Sequence, residues 1–283
     1  MKVDLKKSVE LYLPSLCELI IGDFGWQSLN KSFDRSFEKN KKRCDDGEIP
    51  IIKKNLYNII SGVINGKKED IAFYFYLDNL FKNLSLKLDL NGKKWIKKNL
   101  KGLLLFEGFL ETLGELSVLN NLMDTKVYKL IETEAVEGNR SKGYEKRTGI
   151  DFKLRNIETE KDVLVEVVNI ELKDINTFNN EAINKLLSDK LQEKVLAKKQ
   201  NSLDYLLIPV LYYEKIDLLK SMAKFYEENN FKIESAEVPR AFVLASDESF
   251  QYFETRFGSI HTVITPNYLK APAAILSTYP QLL

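Results

Sequence analysis

Gly149-Ile150-Asp151-Phe152-Lys153-Leu154-Arg155 is followed by the segment Asn156 to Lys161 and then by Asp162-Val163-Leu164-Val165-Glu166-Val167-Val168-Asn169-Ile170. The outer runs are rich in β-branched and aromatic residues, and the segment between them is turn-like except at Ile157, so the spacing predicts a β-hairpin. If Arg155 closes the loop against Asp162, the antiparallel register sets Asp151 opposite Glu166. Directly opposed residues have Cβ atoms about 5 Å apart. Two carboxylates at that separation repel, and one pKa rises unless a cation lies between them. A hard divalent ion takes oxygen ligands of this kind. The alternative is a pair of solvated strand residues. Glu166, however, lies in a run that is apolar on both faces, as in a central strand, and carboxylates are almost never buried without a partner.

The surrounding composition limits the functional classes. The 283 residues suffice for one large domain or two small ones. The 42 basic and 41 acidic residues leave a net charge of +1, so binding to nucleic acid would have to come from a local basic surface. Two cysteines, Cys17 and Cys44, form no CxxC pair and suit a reducing cytoplasm. A single histidine, His261, argues against serine triads and His-rich zinc sites. No apolar run reaches the length of about 18 residues that a membrane span needs, so no membrane partner is expected. No phosphate-binding glycine loop is present, which argues against ATP hydrolysis.

Outward from the hairpin, residues 1–100 read as a helical region. Val9 to Ile21 reads as one helix ended by Gly22-Asp23. Residues 31–54 read as a charged connection whose centre includes Lys41, Lys42 and Arg43, either a phosphate-contacting loop or a solvated linker. Leu56 to Ile64 and Asp70 to Leu86 have helical spacing, and Asn91-Gly92 reads as a turn. Lys93 and Lys94, beside Trp95, could rest on a nucleic-acid backbone or snorkel from an amphipathic helix. Gly102 to Met123 reads as a buried helix with Glu107, Glu111 and Glu115 along one face. At least one of these glutamates should be inside. Val127 to Ile131 reads as a strand and Glu134 to Thr148 as a loop. After the hairpin, Glu181 to Gln200 reads as a helix with Lys190, Lys194 and Lys198 inside its apolar stripe. Leu203 to Tyr213 reads as a central strand containing Pro209. Ile216 to Asn229 then reads as a helix, Ala241 to Ala245 as a strand, Glu248 to Phe257 as a helix and His261 to Thr265 as a last strand.

This order, over residues 101–215, resembles the core of the PD-(D/E)XK nuclease superfamily. The pieces that carry the resemblance are Gly114-Glu115-Leu116, Ile150-Asp151-Phe152 and Val165-Glu166-Val167. The resemblance implies an α/β domain over 101–283 after the helical 1–100: a restriction-endonuclease-like mixed sheet flanked by helices. It implies Mg²⁺ or Mn²⁺ held by Asp151, Glu166 and the carbonyl of Val167, with Glu115 as a further ligand or a water-orienting group. It implies hydrolysis of DNA phosphodiester bonds, in a restriction or anti-phage setting, with a homodimer as one way to cut both strands. Members of the family place a lysine two residues after the Glu, where this chain has Val168. Some members supply the lysine from the following helix, which here points to Lys190 or Lys194 as the catalytic cation. Lys153 shares the Asp151 face but lies toward the turn. The competing reading is an inactive nuclease-like fold that binds nucleic acid or a partner protein.

Overall fold

The computed structural model describes residues 4–45, 55–105, 109–135, 150–171, 189–190, 193, 205–213, 241–245, 252–256 and 259–263. The chain divides into two compact units, whose first boundary falls between residues 120 and 121.

The first unit is helical over its described residues: α1 (Leu5–Tyr12), α2 (Pro14–Cys17), α3 (Trp26–Asp45), α4 (Leu56–Ile64), α5 (Lys68–Lys87), α6 (Leu90–Trp95), α7 (Lys97–Leu103) and most of α8 (Phe109–Asp124). Side-chain caps set several starts. Asp4 accepts from the Lys7 amide, and Asn55 and Asn58 exchange bonds in a capping box. The single helix expected over 9–21 is instead two, because Pro14 disfavours helical backbone at the residue before it. Leu13 accordingly adopts φ −144° and ψ 62°. The charged connection expected over 31–54 is helical through Asp45. Its Glu, Lys and Arg are good helix formers, and Leu29 and Phe33, one turn apart, are buried. The turn expected at Asn91-Gly92 lies inside α6, because the Asp89 carboxylate accepts from the Gly92 amide and starts a helix there. The long helix expected from 102 to 123 is interrupted. α7 ends at Leu103, and α8 starts at Phe109. The buried face of α5 is aromatic, with Phe73, Tyr74, Phe75, Tyr76 and Phe81 all enclosed. Burying each such side chain is worth roughly 1.5–3 kcal/mol.

The second unit holds the sheet: β1 (Tyr128–Ala135), β2 (Ile150–Asn156), β3 (Asp162–Glu171), β4 (Tyr205–Tyr213), β5 (Ala241–Ala245), β6 (Tyr252–Arg256) and β7 (Ser259–Val263). The described strands form one seven-stranded sheet in chain order. It is mixed: β3–β4 and β4–β5 are parallel, and the other neighbours are antiparallel. This is an α/β protein, as expected. The central strand expected over 203–213 is β4. β5 pairs with it only from Val210 onward, so Pro209 sits before that ladder begins. The helix expected over 248–257 is contradicted, since Tyr252 to Arg256 is the strand β6 between β5 and β7. Its Tyr, Phe and Thr favour a pleated surface, and two neighbouring strands override the helical spacing. The loop expected over 134–148 falls outside the described residues except for the end of β1. The helix expected over 216–229 also lies outside them, as does all but Asp189, Lys190 and Glu193 of the one expected over 181–200.

The β2–β3 hairpin takes the register that places Arg155 opposite Asp162, and continues through Leu154–Val163 and Lys153–Leu164 to Phe152–Val165. One face of β2 is Ile150, Phe152 and Leu154, all buried. The partner residues Val165 and Val167, and Ile208 across on β4, are buried too. The opposite face carries the charges: Asp151, Lys153 and Arg155 on β2, and Asp162 and Glu166 on β3.

Candidate metal and hydrolytic site

At its turn, the hairpin is closed by local chemistry. The Asn156 side chain accepts from the amides of Glu158 and Thr159, and the Asn156 amide donates to the Lys161 carbonyl. Arg155 Nε donates to Asp162 Oδ1 at 2.8 Å, and Lys153 Nζ lies 3.0 Å from Asp162 Oδ2. The Arg155 hydrogen bond, then that of Lys153, holds the Asp162 carboxyl below the usual carboxylate range.

At the other end, opposite charges give way to like ones. The β2–β3 pairing ends at Phe152–Val165, so the expected Asp151–Glu166 pair falls one step beyond it. Glu166 is 2% exposed. Its Oε2 is enclosed without a hydrogen-bond donor, although the residue keeps other interactions. Asp151 is half-buried, and its Oδ2 accepts from the Val167 amide at 2.7 Å. That amide faces β2, where a continued ladder would have offered a backbone carbonyl, so the carboxylate takes the acceptor's place as the strands part. This bond also fixes the Asp151 side chain beside the residue that follows Glu166. Val168 is 2% exposed in an apolar setting.

β1 adds a feature that the sequence did not suggest. Leu130 pairs with Leu154, but Glu132 pairs with Lys153, which leaves Ile131 as an extra residue. Plain alternation would keep Leu130 and Glu132 on one face. The bulge instead puts Leu130 with the apolar residues and Glu132 with the charged ones.

The other expected residues are spread through the chain. Glu115 lies on α8 within the first unit, half-buried, and accepts from Asn99 Nδ2. Glu111 is exposed, and Glu107 lies outside the described residues. Among the described residues, no three of His, Cys, Asp and Glu form a metal-holding group. Lys190 was expected to face inward. Its side chain is 53% exposed, with Nζ 3.7 Å from Glu193. A helical lysine on a flexible stem reaches solvent readily from an apolar stripe. Lys194 lies outside the described residues. Lys41, Lys42 and Arg43 are in the last turns of α3. Lys93 is turned inward, donating to the Glu18 carbonyl and to Ser85 Oγ, whereas Lys94 is exposed. Neighbouring lysines pin the same loop: Lys97 donates to the Asp23 carbonyl, and Lys101 lies over the Phe24 ring at 5.6 Å.

No described helix is long and apolar enough to cross a membrane. No protein-family model and no curated protein matches the chain. A solved structure, SfsA of Pyrococcus furiosus in complex with Ca²⁺, is similar at 12% identity and a TM-score of 0.26. The similarity covers 55% of this chain and 66% of that one, so the chain spans just under two thirds of that protein's length. At that score the likeness carries nothing about fold or function.

Proposed function

We propose that the protein is a metal-dependent endonuclease that hydrolyses DNA phosphodiester bonds, on a restriction-endonuclease-like core. The observation that carries this reading is the buried Glu166 together with the Asp151 carboxylate, which is bound to the amide of Val167, the residue that follows Glu166. The order of α8, the antiparallel β1–β3 and then β4 in a mixed sheet supports the core. A buried carboxylate beside a second one costs several kcal/mol unless a cation compensates it. The donors are all oxygens and fit a hard ion, Mg²⁺ or Mn²⁺. Asp151, Glu166 and the Val167 carbonyl would hold it. A bound ion would supply charge for a phosphoryl oxygen and a water of lowered pKa.

The chain's own residues prepare that chemistry. The Val167 amide holds Oδ2 of Asp151 and so orients the carboxylate. Val165, Val167 and Phe152 close the opposite face of the sheet to water. In the reaction a water oxygen bonds to phosphorus as the ester P–O bond breaks, giving a phosphomonoester and a free hydroxyl. Lys190 and Lys194 are candidates for the cation that assists. Lys41, Lys42, Arg43, Lys93 and Lys94 are candidates for backbone contacts, and a homodimer would bring two sites to two strands. A restriction or anti-phage role fits such an enzyme.

The test is nicking of supercoiled plasmid in Mg²⁺ or Mn²⁺. Wild type should nick, and Asp151→Ala should lose nicking while staying folded. Full nicking by Asp151→Ala would refute the assignment. The second reading, an inactive nuclease-like fold that binds nucleic acid or protein, is favoured by the buried Val168 in the lysine position. It predicts no cleavage with any divalent metal but a gel shift in EDTA.

A further inference from the structure

We infer that Lys153 is the cation that serves the Asp151–Glu166 site, and that Asp162 holds it in reserve. This rests on the hydrolase reading and deepens it. Lys153 is two residues from Asp151 on β2, so the two share a face. Its ladder partner on β3 is Leu164. Glu166 is therefore its diagonal neighbour, at about 7–8 Å, a distance long side chains span.

The present partner of Lys153 does not depend on it. Asp162 receives Lys153 on Oδ2 and Arg155 on Oδ1. Arginine stays charged at any working pH. When the lysine leaves, Asp162 keeps its Arg155 bond and no charge is stranded. The move exchanges one carboxylate environment for another. Lys153 is 29% exposed, part-shielded from water where its charge acts more strongly. The β1 bulge sets Glu132 across from it, so Lys153 has acidic residues on β1, β2 and β3. Val168 offers no charge at the far side of the pair. In the working position Nζ contributes positive charge and a hydrogen bond to a phosphate oxygen or to the attacking water.

The experiment uses the full chain with two replacements: Lys153→Met and Asp162→Asn. Plasmid cleavage in Mn²⁺ gives rates, and calorimetry gives Ca²⁺ affinity without turnover. Lys153→Met should cut the rate by about a hundredfold or more, the scale of removing one electrostatic stabiliser. It should also tighten Ca²⁺ binding several-fold, because a positive charge leaves the site. Asp162→Asn should keep the rate or raise it, because the reserve position is weakened. Wild-type cleavage and unchanged Ca²⁺ affinity in Lys153→Met overturn the Lys153 assignment alone. A loss in Asp162→Asn equal to that in Lys153→Met also overturns it, since the pair would then be structural. A wild type that neither binds Ca²⁺ nor cleaves overturns the hydrolase reading, and the assignment with it.

Discussion

The two ends of the β2–β3 hairpin are built from the same pieces and reach opposite electrostatic outcomes. At the turn, Asp162 faces Arg155 and Lys153, and every charge has an opposite charge beside it. A few residues along, past the last paired position, the like-charged Asp151 and Glu166 lie on the same face of β2 and β3, with Glu166 almost wholly buried. The turn is solvent-accessible, where ion pairs are worth little. The far end is more enclosed, where burying a carboxylate is expensive. The cheap arrangement was thus made at the exposed end, where it sets the register, and the costly one was kept inside. The proposed metal site rests on the arrangement kept inside.

The comparison can be broken at three points. The largest effect should come from Phe152→Ala, on the apolar face shared by both ends. Deleting a fully buried ring typically costs about 3–5 kcal/mol, and urea denaturation should show it, with the loss of both the turn and the site. If the loss were under about 1 kcal/mol, the two ends would not share one packed support. Next is Glu166→Gln in EDTA. It removes a buried carboxylate and keeps the shape, so the unfolding free energy should rise by about 1 kcal/mol, on the scale of such burial costs. A fall would mean that the charge is structurally compensated and that the contrast is false. The smallest effect is Asp162→Asn. The folded-state pKa of Asp162 lies below its unfolded value, so its stabilisation is complete above the unfolded pKa and is lost as pH falls through the folded one. Denaturation series should therefore show a slight deficit for the variant at neutral pH that closes in acid. A deficit independent of pH would assign the effect to shape and not to charge.

Much of the hairpin was legible in the sequence because it is local. Arg155 and Asp162 flank a turn, and a period of two then carries the register to Asp151 and Glu166 without reference to the rest of the chain. The Asp151–Val167 bond was not legible, because it depends on the strands parting one step past Phe152. Nor was the β1 bulge, since Leu130-Ile131-Glu132 reads as plain alternation until β2 is laid beside it. The segment 252–256 shows the same limit in the fold. Its spacing suits a helix, and only the presence of β5 and β7 makes it a strand. Lys190 lies within an apolar stripe by spacing, yet its flexible stem carries the amine to Glu193 and solvent.

The central claim is that the Asp151–Glu166 end binds a hard divalent cation. Thermal denaturation with and without Ca²⁺, for wild type and Asp151→Asn, tests it most directly. Asparagine keeps an oxygen for the Val167 amide and removes only the charge. Wild type should gain about 2.7 kcal/mol at a Ca²⁺ concentration a hundred times Kd, and Asp151→Asn should gain almost nothing. Equal stabilisation of both proteins, or of neither, would contradict the account.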